Sequence, residues 1–421
     1  MVSTRRFSTL GKIAWHLSGA GGAAVLSAYA VLRARLTPQT RRNPREVHIL
    51  TEGHPRRGLS PAARYRAFQY LPLLEARGFV CRVRPSRPNK YFLVRPWFRW
   101  LEARMKPLSR ALAAAQFGRQ ILGRTLDYAG AARAGVVFLQ RDLVALPKSR
   151  LETLLPLFNR HIVFDFDDAI FRCPSWSSAE ERTYFDAAQR EKIQAICKLS
   201  VAVIVGNAWL ADWVRPLNPN VHVVPTMLDT EEFRPPAKRV PNDVPVIGWV
   251  GTSGNLFYLR AIAGALRALA KRRDFVLRVI CDRVDDEALN GLPSVDFVVW
   301  SADNEVARIQ DFDIGIMPLT DDDWSRGKAG FKLIQYMACG VPIVWSPVGA
   351  NTEVAGPDGE CGIPARTDQA WVAALERLLD DAELRARLGA CGRRRALECF
   401  DRRRGADQLA AILSQVANHG S

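Results

Sequence analysis

The sequence predicts an α/β protein of two successive Rossmann-like domains, each built on a parallel sheet. Three observations predict it. From residue 47 onward, short β-branched runs alternate with longer stretches of helical period. That alternation restarts after Arg234-Pro235-Pro236 and Pro241, a linker by composition. The chain's 421 residues also exceed what one hydrophobic core usually holds. At 48% apolar, 24% charged and 9% aromatic residues, the chain is neither mainly disordered, nor collagen-like, nor a multi-span membrane protein.

The elements follow in order. Residues 1–45 form a basic, apolar leader in which Arg5, Arg6 and Lys12 precede the weakly apolar stretch 13–32, and Arg33, Arg35, Arg41, Arg42 and Arg45 follow it. Three readings meet here. Ala28-Tyr29-Ala30 resembles a signal-peptide cleavage site, but eight scattered cysteines without a CxxC pair argue for reduced thiols and against export. The stretch is long enough to span a bilayer, yet three glycines, two serines and His16 make it a poor span. The favoured reading is an interfacial or leader segment on the cytosolic face, its basic flanks suiting anionic lipid. The protein is accordingly expected in the cytoplasm, peripheral on the inner face of the plasma membrane.

Residues 46–235 are expected to form the first domain. Val47-His48-Ile49-Leu50 reads as its first strand, and Pro61 opens a helix with Tyr65, Phe68, Leu71 and Leu74 at helical steps, stopped by Gly78. Strands are predicted at 136–139, 162–164 and 201–205. The stretch 84–134, interrupted by Pro85, Pro88, Pro96 and Pro107, follows neither period, and its Trp/Phe/Arg-rich part 91–100 reads as a core-packed loop or one that dips into a membrane interface. In the second domain, residues 236–402, strands are predicted at 246–250, 275–280, 313–317 and 342–345, with a helix over 329–338. A helix over 406–417 falls in the final segment, residues 403–421.

In open parallel sheets ligands sit beyond the carboxyl ends of strands, so the loops there are the candidate sites. Gly251-Thr252-Ser253-Gly254-Asn255 directly follows a strand, and glycine lets backbone approach a phosphate. Lys328 and Lys332, four apart near a helix start, could neutralise a pyrophosphate, and Gln335 could bond sugar hydroxyls. The bland alternative is an exposed basic turn. In the first domain, His54, Arg56, Arg57 and Gly58 precede the helix bearing Arg64 and Arg66, a set suited to an anionic acceptor or to phosphates. His54 is a candidate base. Asp165-Phe166-Asp167-Asp168 follows a strand, and Asp167 or Asp168 could orient an acceptor or assist proton transfer, with a helix cap or a pairing to Arg172 as the structural alternative. No metal is expected.

Residues 330–344, with Ser346-Pro347-Val348-Gly349-Ala350-Asn351-Thr352-Glu353-Val354 and Gly359-Glu360-Cys361-Gly362, resemble the donor-binding half of family-4 glycosyltransferases of the GT-B fold. Ser60-Pro61-Ala62-Ala63-Arg64-Tyr65-Arg66 and Phe164-Asp165-Phe166-Asp167-Asp168-Ala169 resemble a bacterial subgroup, and Val224-Pro225-Thr226 with Asp229 and Phe233 resembles its interdomain crossover. The resemblance implies two facing domains with a cleft between them, an N-terminal acceptor domain, a C-terminal donor domain and a final helix returning to the first. It implies transfer of a sugar from a nucleotide-diphosphate sugar to a hydroxyl of a cell-envelope glycan or lipid-linked acceptor, with retention and without metal or cofactor. Donor contacts then fall on Gly251, Thr252, Asn255, Lys328, Lys332, Gln335 and Glu353. One departure stands out. Anchored on Met337-Ala338-Cys339-Gly340, the family's two glutamates fall at Gln335, which can still bond a ribose, and at Gly327, which has no side chain to bond with. A GT-B nucleotide-sugar epimerase or hydrolase, or a non-catalytic sugar-nucleotide-binding subunit, are the alternatives.

The net charge of +16 separates unevenly: residues 1–150 hold 28 Lys+Arg against 6 Asp+Glu, and the remainder 31 against 37. The basic excess thus belongs to the first third and predicts an anionic partner, namely membrane surface or lipid-linked phosphate. Without a recognised nucleic-acid module, nucleic acid is not expected.

Overall fold

The computed structural model describes residues 42–54, 60–86, 96–144, 149, 151–174, 177–283, 290–356 and 359–419. Residues 1–41 of the leader, the first-loop residues Arg56, Arg57 and Gly58, and residues 91–95 lie outside these, whereas the leader's last residues, from Asn43, already belong to the first strand. The chain divides into two compact units, Met1–Val224 with Gly405–Ser421, and Pro225–Arg404.

The first unit contains β1 (Asn43–Thr51), α1 (Pro61–Arg66), α2 (Leu71–Glu75), β2 (Val80–Pro85), α3 (Pro96–Arg104), α4 (Lys106–Ala131), β3 (Ala134–Gln140), β4 (Ile162–Phe166), α5 (Ala179–Leu199), β5 (Ala202–Val205), α6 (Ala208–Val214) and β6 (Val221–Val223). Its sheet has the order β2-β1-β3-β4-β5-β6, and every pair is parallel. The second unit contains β7 (Val246–Gly251), α7 (Phe257–Ala261), α8 (Ala263–Ala270), β8 (Val276–Cys281), β9 (Val295–Val299), α9 (Glu305–Gln310), β10 (Ile314–Met317), α10 (Asp323–Arg326), α11 (Phe331–Ala338), β11 (Ile343–Trp345), α12 (Ala350–Ala355), β12 (Gly362–Pro364), α13 (Asp368–Asp380) and α14 (Ala382–Cys399). Its parallel order, β12-β11-β10-β7-β8-β9, is that of a Rossmann sheet. A last helix, α15 (Arg402–Ala417), follows, and from Gly405 onward it belongs to the first unit.

The eight strands expected from the sequence are all present, and β2, β6, β9 and β12 add to them. These four are the edges of the two sheets. An edge strand needs no continuous apolar run: β2 alternates exposed with half-buried residues, whereas β3, β4 and β5 are buried throughout.

The stretch 84–134 is mainly helical. Pro96 is the first residue of α3, and Pro107 sits in the first turn of α4. Proline there removes an N–H that has no partner within the helix anyway, so it starts helices that its presence elsewhere would break. The single helix expected from Pro61 is instead α1, a 3₁₀ turn and α2, broken at Ala67 (φ −132°, ψ −63°) just ahead of Pro72. The two units divide before Pro225, upstream of the Pro-rich stretch. Leu228 bridges Asp401, Thr230 Oγ1 donates to Asp401, and Arg393 Nη1 donates to the carbonyls of Thr230, Phe233 and Ala338 at 2.8–2.9 Å, which ties residues 228–233 to the second unit.

The second unit's core joins Ile247, Trp249, Leu277, Val279, Ile314 and Val344 to Leu266 and Leu375 from the flanking helices. In the first unit, His48 on β1 is 1% exposed, and α4 packs so closely that a Cβ on Gly130 would lie 2.7 Å from the imidazole. Burial first, then the positive charges of Arg84, Arg124 and Arg82, lower its pKa from 6.5 to about 4. The unfolded chain therefore binds this proton below pH 6.5 while the folded chain refuses it down to about 4. Stability falls as pH falls. Denaturant unfolding is expected to show about 2 kcal/mol lost from this group between pH 6.5 and 5, with the pH slope flattened in His48→Gln.

Candidate functional site

In the second unit the strand order reverses between β7 and β10, so the loops leaving their carboxyl ends part there and open a crevice. After β7, Gly251 must lack a side chain, since a Cβ would lie 2.5 Å from the Trp249 ring and 3.0 Å from Lys332 Cε. Asp282, beyond β8, fixes the turn by accepting from the Ser253 N–H at 2.6 Å and its hydroxyl at 3.2 Å. Asn255 Nδ2 donates to Thr252 Oγ1 (2.8 Å), leaving Asn255 Oδ1 to accept from Lys328 Nζ at 3.3 Å.

After β10, Asp322 caps α10 through the Ser325 N–H (2.9 Å), and Ser325 Oγ meets Tyr258 OH at 2.8 Å. The Lys328 ammonium then lies over the rings of Tyr258 (5.6 Å) and Trp324 (5.4 Å), and that of Lys332 over Trp249 (5.4 Å). Aromatic faces hold ammonium groups in place without cancelling their charge. Gly330, in the left-handed region at φ 66°, directly precedes helix α11, and no side chain caps that helix. Its first amides and the two lysines therefore present positive potential beside the glycine loop, an arrangement that suits a polyphosphate.

The structure thus gathers Gly251, Thr252, Asn255, Lys328 and Lys332. It does not bring Gln335 to that surface. Gln335 is 3% exposed, and its Nε2 donates at 2.8 Å to Glu305, itself 4% exposed, so the expected ribose contact is corrected to a buried amide–carboxylate pair. Glu353 is exposed on the first turn of α12, its carbonyl held by Arg395 at 2.6 Å. Gly327 closes α10. Sequence reasoning missed Trp249, Tyr258, Trp324, Asp282 and Glu305. The spacing of Trp324 to Lys328 was the legible signal. Elsewhere in this unit, Glu360, Cys361 and Cys391 are the one group of potential metal ligands among the described residues. The two sulfurs lie 3.5 Å apart, and Arg394 Nη2 approaches Cys391 at 3.4 Å.

The first unit reverses its strand order between β1 and β3. Beyond them stand Glu52 and Arg141, and beyond β4 stand Asp167 and Asp168. Arg141 Nη2 reaches Asp167 Oδ1 at 2.9 Å and Asp168 Oδ2 at 2.6 Å, with Nη1 3.6 Å from Glu52 Oε2. Glu52 also accepts from the Ser60 hydroxyl at 2.9 Å. Arg141 holds φ at 58°, strained for a residue with a side chain, and is pinned there by its N–H to the Asp165 carbonyl at 2.8 Å. Of the two aspartates, Asp168 has the more exposed side chain (28% against 10%). Arg141 was not foreseen. It directly follows a buried strand, as site residues of open sheets do.

His54 packs edge-on against Phe68 (centroids 5.1 Å), and Arg64 lies over Tyr65 at 4.8 Å. The reading of Arg66 as a phosphate contact is corrected. Arg66 is 2% exposed, donates to both oxygens of Asp165, and donates through Nη1 to the Val224 carbonyl at 2.6 Å. Burial penalises its charge, but the Asp165 carboxylate outweighs that and raises the guanidinium pKa.

Residues 244–381 match the family model described as Glycosyl transferases group 1, which bears out the resemblance read in the second unit. Over 210 residues the chain is 32% identical to the MMP alpha-(1->4)-mannosyltransferase of Mycolicibacterium hassiacum. That alignment covers 47% of this chain and 48% of the relative, so the chain spans about half the length of the curated relative it matches. Among solved structures, the sucrose-phosphate synthase of Thermosynechococcus elongatus has a TM-score of 0.65 at 18% identity, covering 89% of this chain and 99% of that one. A glycosyltransferase from Rickettsia africae has a TM-score of 0.59 at 12% identity, covering 89% and 99%. These likenesses show the fold, GT-B, as expected from the sequence.

The Arg66 correction is measurable. Arg66→Ala strands Asp165 in the interior, and denaturant unfolding is expected to show a loss of about 3–5 kcal/mol, partly restored by adding Asp165→Ala. Arg64→Ala, at a half-buried cation, is expected to change stability by less than about 1 kcal/mol.

Proposed function

We propose that this protein is a glycosyltransferase that moves a hexosyl group from a nucleoside-diphosphate sugar to a hydroxyl of a cell-envelope glycan or lipid-linked acceptor, retaining the anomeric configuration and using neither metal nor cofactor. The observation that carries the reading is the pair Lys328 and Lys332 set over aromatic rings beside the Gly251 loop, within the segment matching the group 1 family. The matched relative's name, a mannosyltransferase, supports a hexosyl donor.

As the glycosidic bond to the diphosphate breaks, negative charge builds on the leaving oxygens. Two fixed ammonium groups and the first backbone amides of α11, beside the glycine loop, stabilise that charge without reorganising during the reaction. The sugar gains oxocarbenium character, and the acceptor hydroxyl, oriented by Asp168, adds to the anomeric carbon and passes its proton to an oxygen of the departing diphosphate. Arg141, paired with both aspartates through Nη2, holds the two carboxylates in place. The enzyme would work in the cytoplasm, peripheral to the membrane. A second reading, a subunit that binds the donor without turning it over, is favoured by one observation: Gly327 where the family places a glutamate.

Thermal melting tests the donor site. UDP or GDP at about a hundredfold excess over its dissociation constant is expected to stabilise the chain by about 2.7 kcal/mol. Lys328→Ala with Lys332→Ala is expected to weaken binding by about 100-fold or more, for two lost charge-assisted contacts. Stabilisation that survives both substitutions overturns the site. Undiminished binding without transfer to any envelope acceptor selects the second reading.

A further inference from the structure

The outward face of α4 reverses the usual pattern of a surface helix. Leu108, Ala111, Ala115, Arg119, Leu122 and Leu126 recur at three- and four-residue steps, share one face and are exposed. Leu108, Leu122 and Leu126 are 43%, 58% and 56% exposed, and Arg119 is the stripe's one charge. The opposite face is buried and carries Ala113, Arg124 and Tyr128. Just ahead of α4, Trp97 and Trp100 on α3 are each about half exposed, Met105 joins them, and the Arg104 guanidinium lies 4.9 Å from the Trp100 ring. Among the described residues, the exposed charges along α3 and α4 are Arg104, Lys106, Arg110 and Arg119. The nearby acids are engaged or recessed: Glu102 is half-buried, and Asp127 faces Arg124 at 3.4 Å and Arg84 at 4.0 Å.

We infer that this face of α3 and α4 is a docking surface for an anionic membrane. Charge complementarity selects the occupant. A second copy would bring the same cations against themselves, whereas an anionic bilayer accepts leucines below its headgroups, tryptophans at the boundary and arginines and lysines at the phosphates. The inference deepens the proposed function and rests on it only for its purpose, to bring the acceptor-side unit to a lipid-linked substrate.

Vesicle flotation of the full chain tests it. Vesicles of phosphatidylcholine with about 30% phosphatidylglycerol are expected to bind at least about tenfold more protein than phosphatidylcholine alone, less so at high salt. Two variants, one carrying Trp100→Ser, Leu122→Ser and Leu126→Ser and the other Arg104→Glu, Lys106→Glu and Arg110→Glu, are each expected to lose at least about tenfold. Their melting shift with UDP or GDP is expected to stay as in the native chain. Equal binding to neutral vesicles, or variants that bind like the native chain, overturns the inference. So does self-association in sedimentation that the serine variant abolishes, since a second copy then covers the face. A chain that floats with anionic vesicles but is stabilised by no nucleoside diphosphate keeps the docking surface and loses the transferase reading.

Discussion

Everything at the two sites follows from one constraint. A parallel sheet must satisfy each buried backbone group with a neighbouring strand, so successive strands are laid outward from a starting strand, first to one side and then to the other. Where the direction changes, between β1 and β3 and again between β7 and β10, adjacent loops leave in opposite directions and cannot close over the strand ends. Both sets of polar residues gather there. The reversal in the second unit sets the glycine loop of residues 251–255 beside the segment that carries Lys328. In the first unit it sets Glu52 beside Arg141. Neither cluster needs long loops or a special motif.

The central strands were legible because they are buried on both faces and their sequences are apolar without interruption. The edge strands were not, because a strand paired on one side tolerates the arginines of β2 or the aspartate of β9. Proline misled at α3 and α4 through its double meaning, breaker inside a helix and starter at its first turn. At the sites, residue type and spacing found the glycine loop, the lysines and the aspartates. They could not distinguish Arg64 from Arg66, two positions apart on one short helix, since only the packing shows which guanidinium is turned toward buried Asp165. Gln335 was misplaced for the same reason: its partner Glu305 is thirty positions away in sequence. Arg141 has no motif around it, and its strained backbone is visible only in three dimensions.

The basic excess of the first third also changes meaning. Part of it is structural. Arg66, Arg124 and Arg141 are spent on buried carboxylates and carbonyls, Arg124 donating to the carbonyls of Thr51, Arg84 and Leu143. Among the described residues, Arg104, Lys106, Arg110 and Arg119 stay outward along α3 and α4 beside exposed tryptophans and leucines. Glu52, Asp167 and Asp168 stand at the sheet's carboxyl end, so the same unit presents carboxylates at its site and cations on a separate helical face. Total charge conceals that separation.

The central claim is that Lys328, Lys332 and the glycine loop recognise phosphate. Titration calorimetry of uridine and guanosine against their diphosphates tests it most directly. If phosphates supply the binding, one diphosphate binds at least about 100-fold tighter than its nucleoside, and the gap narrows as salt rises. A nucleoside that binds as tightly as its diphosphate, at any salt concentration, would contradict it.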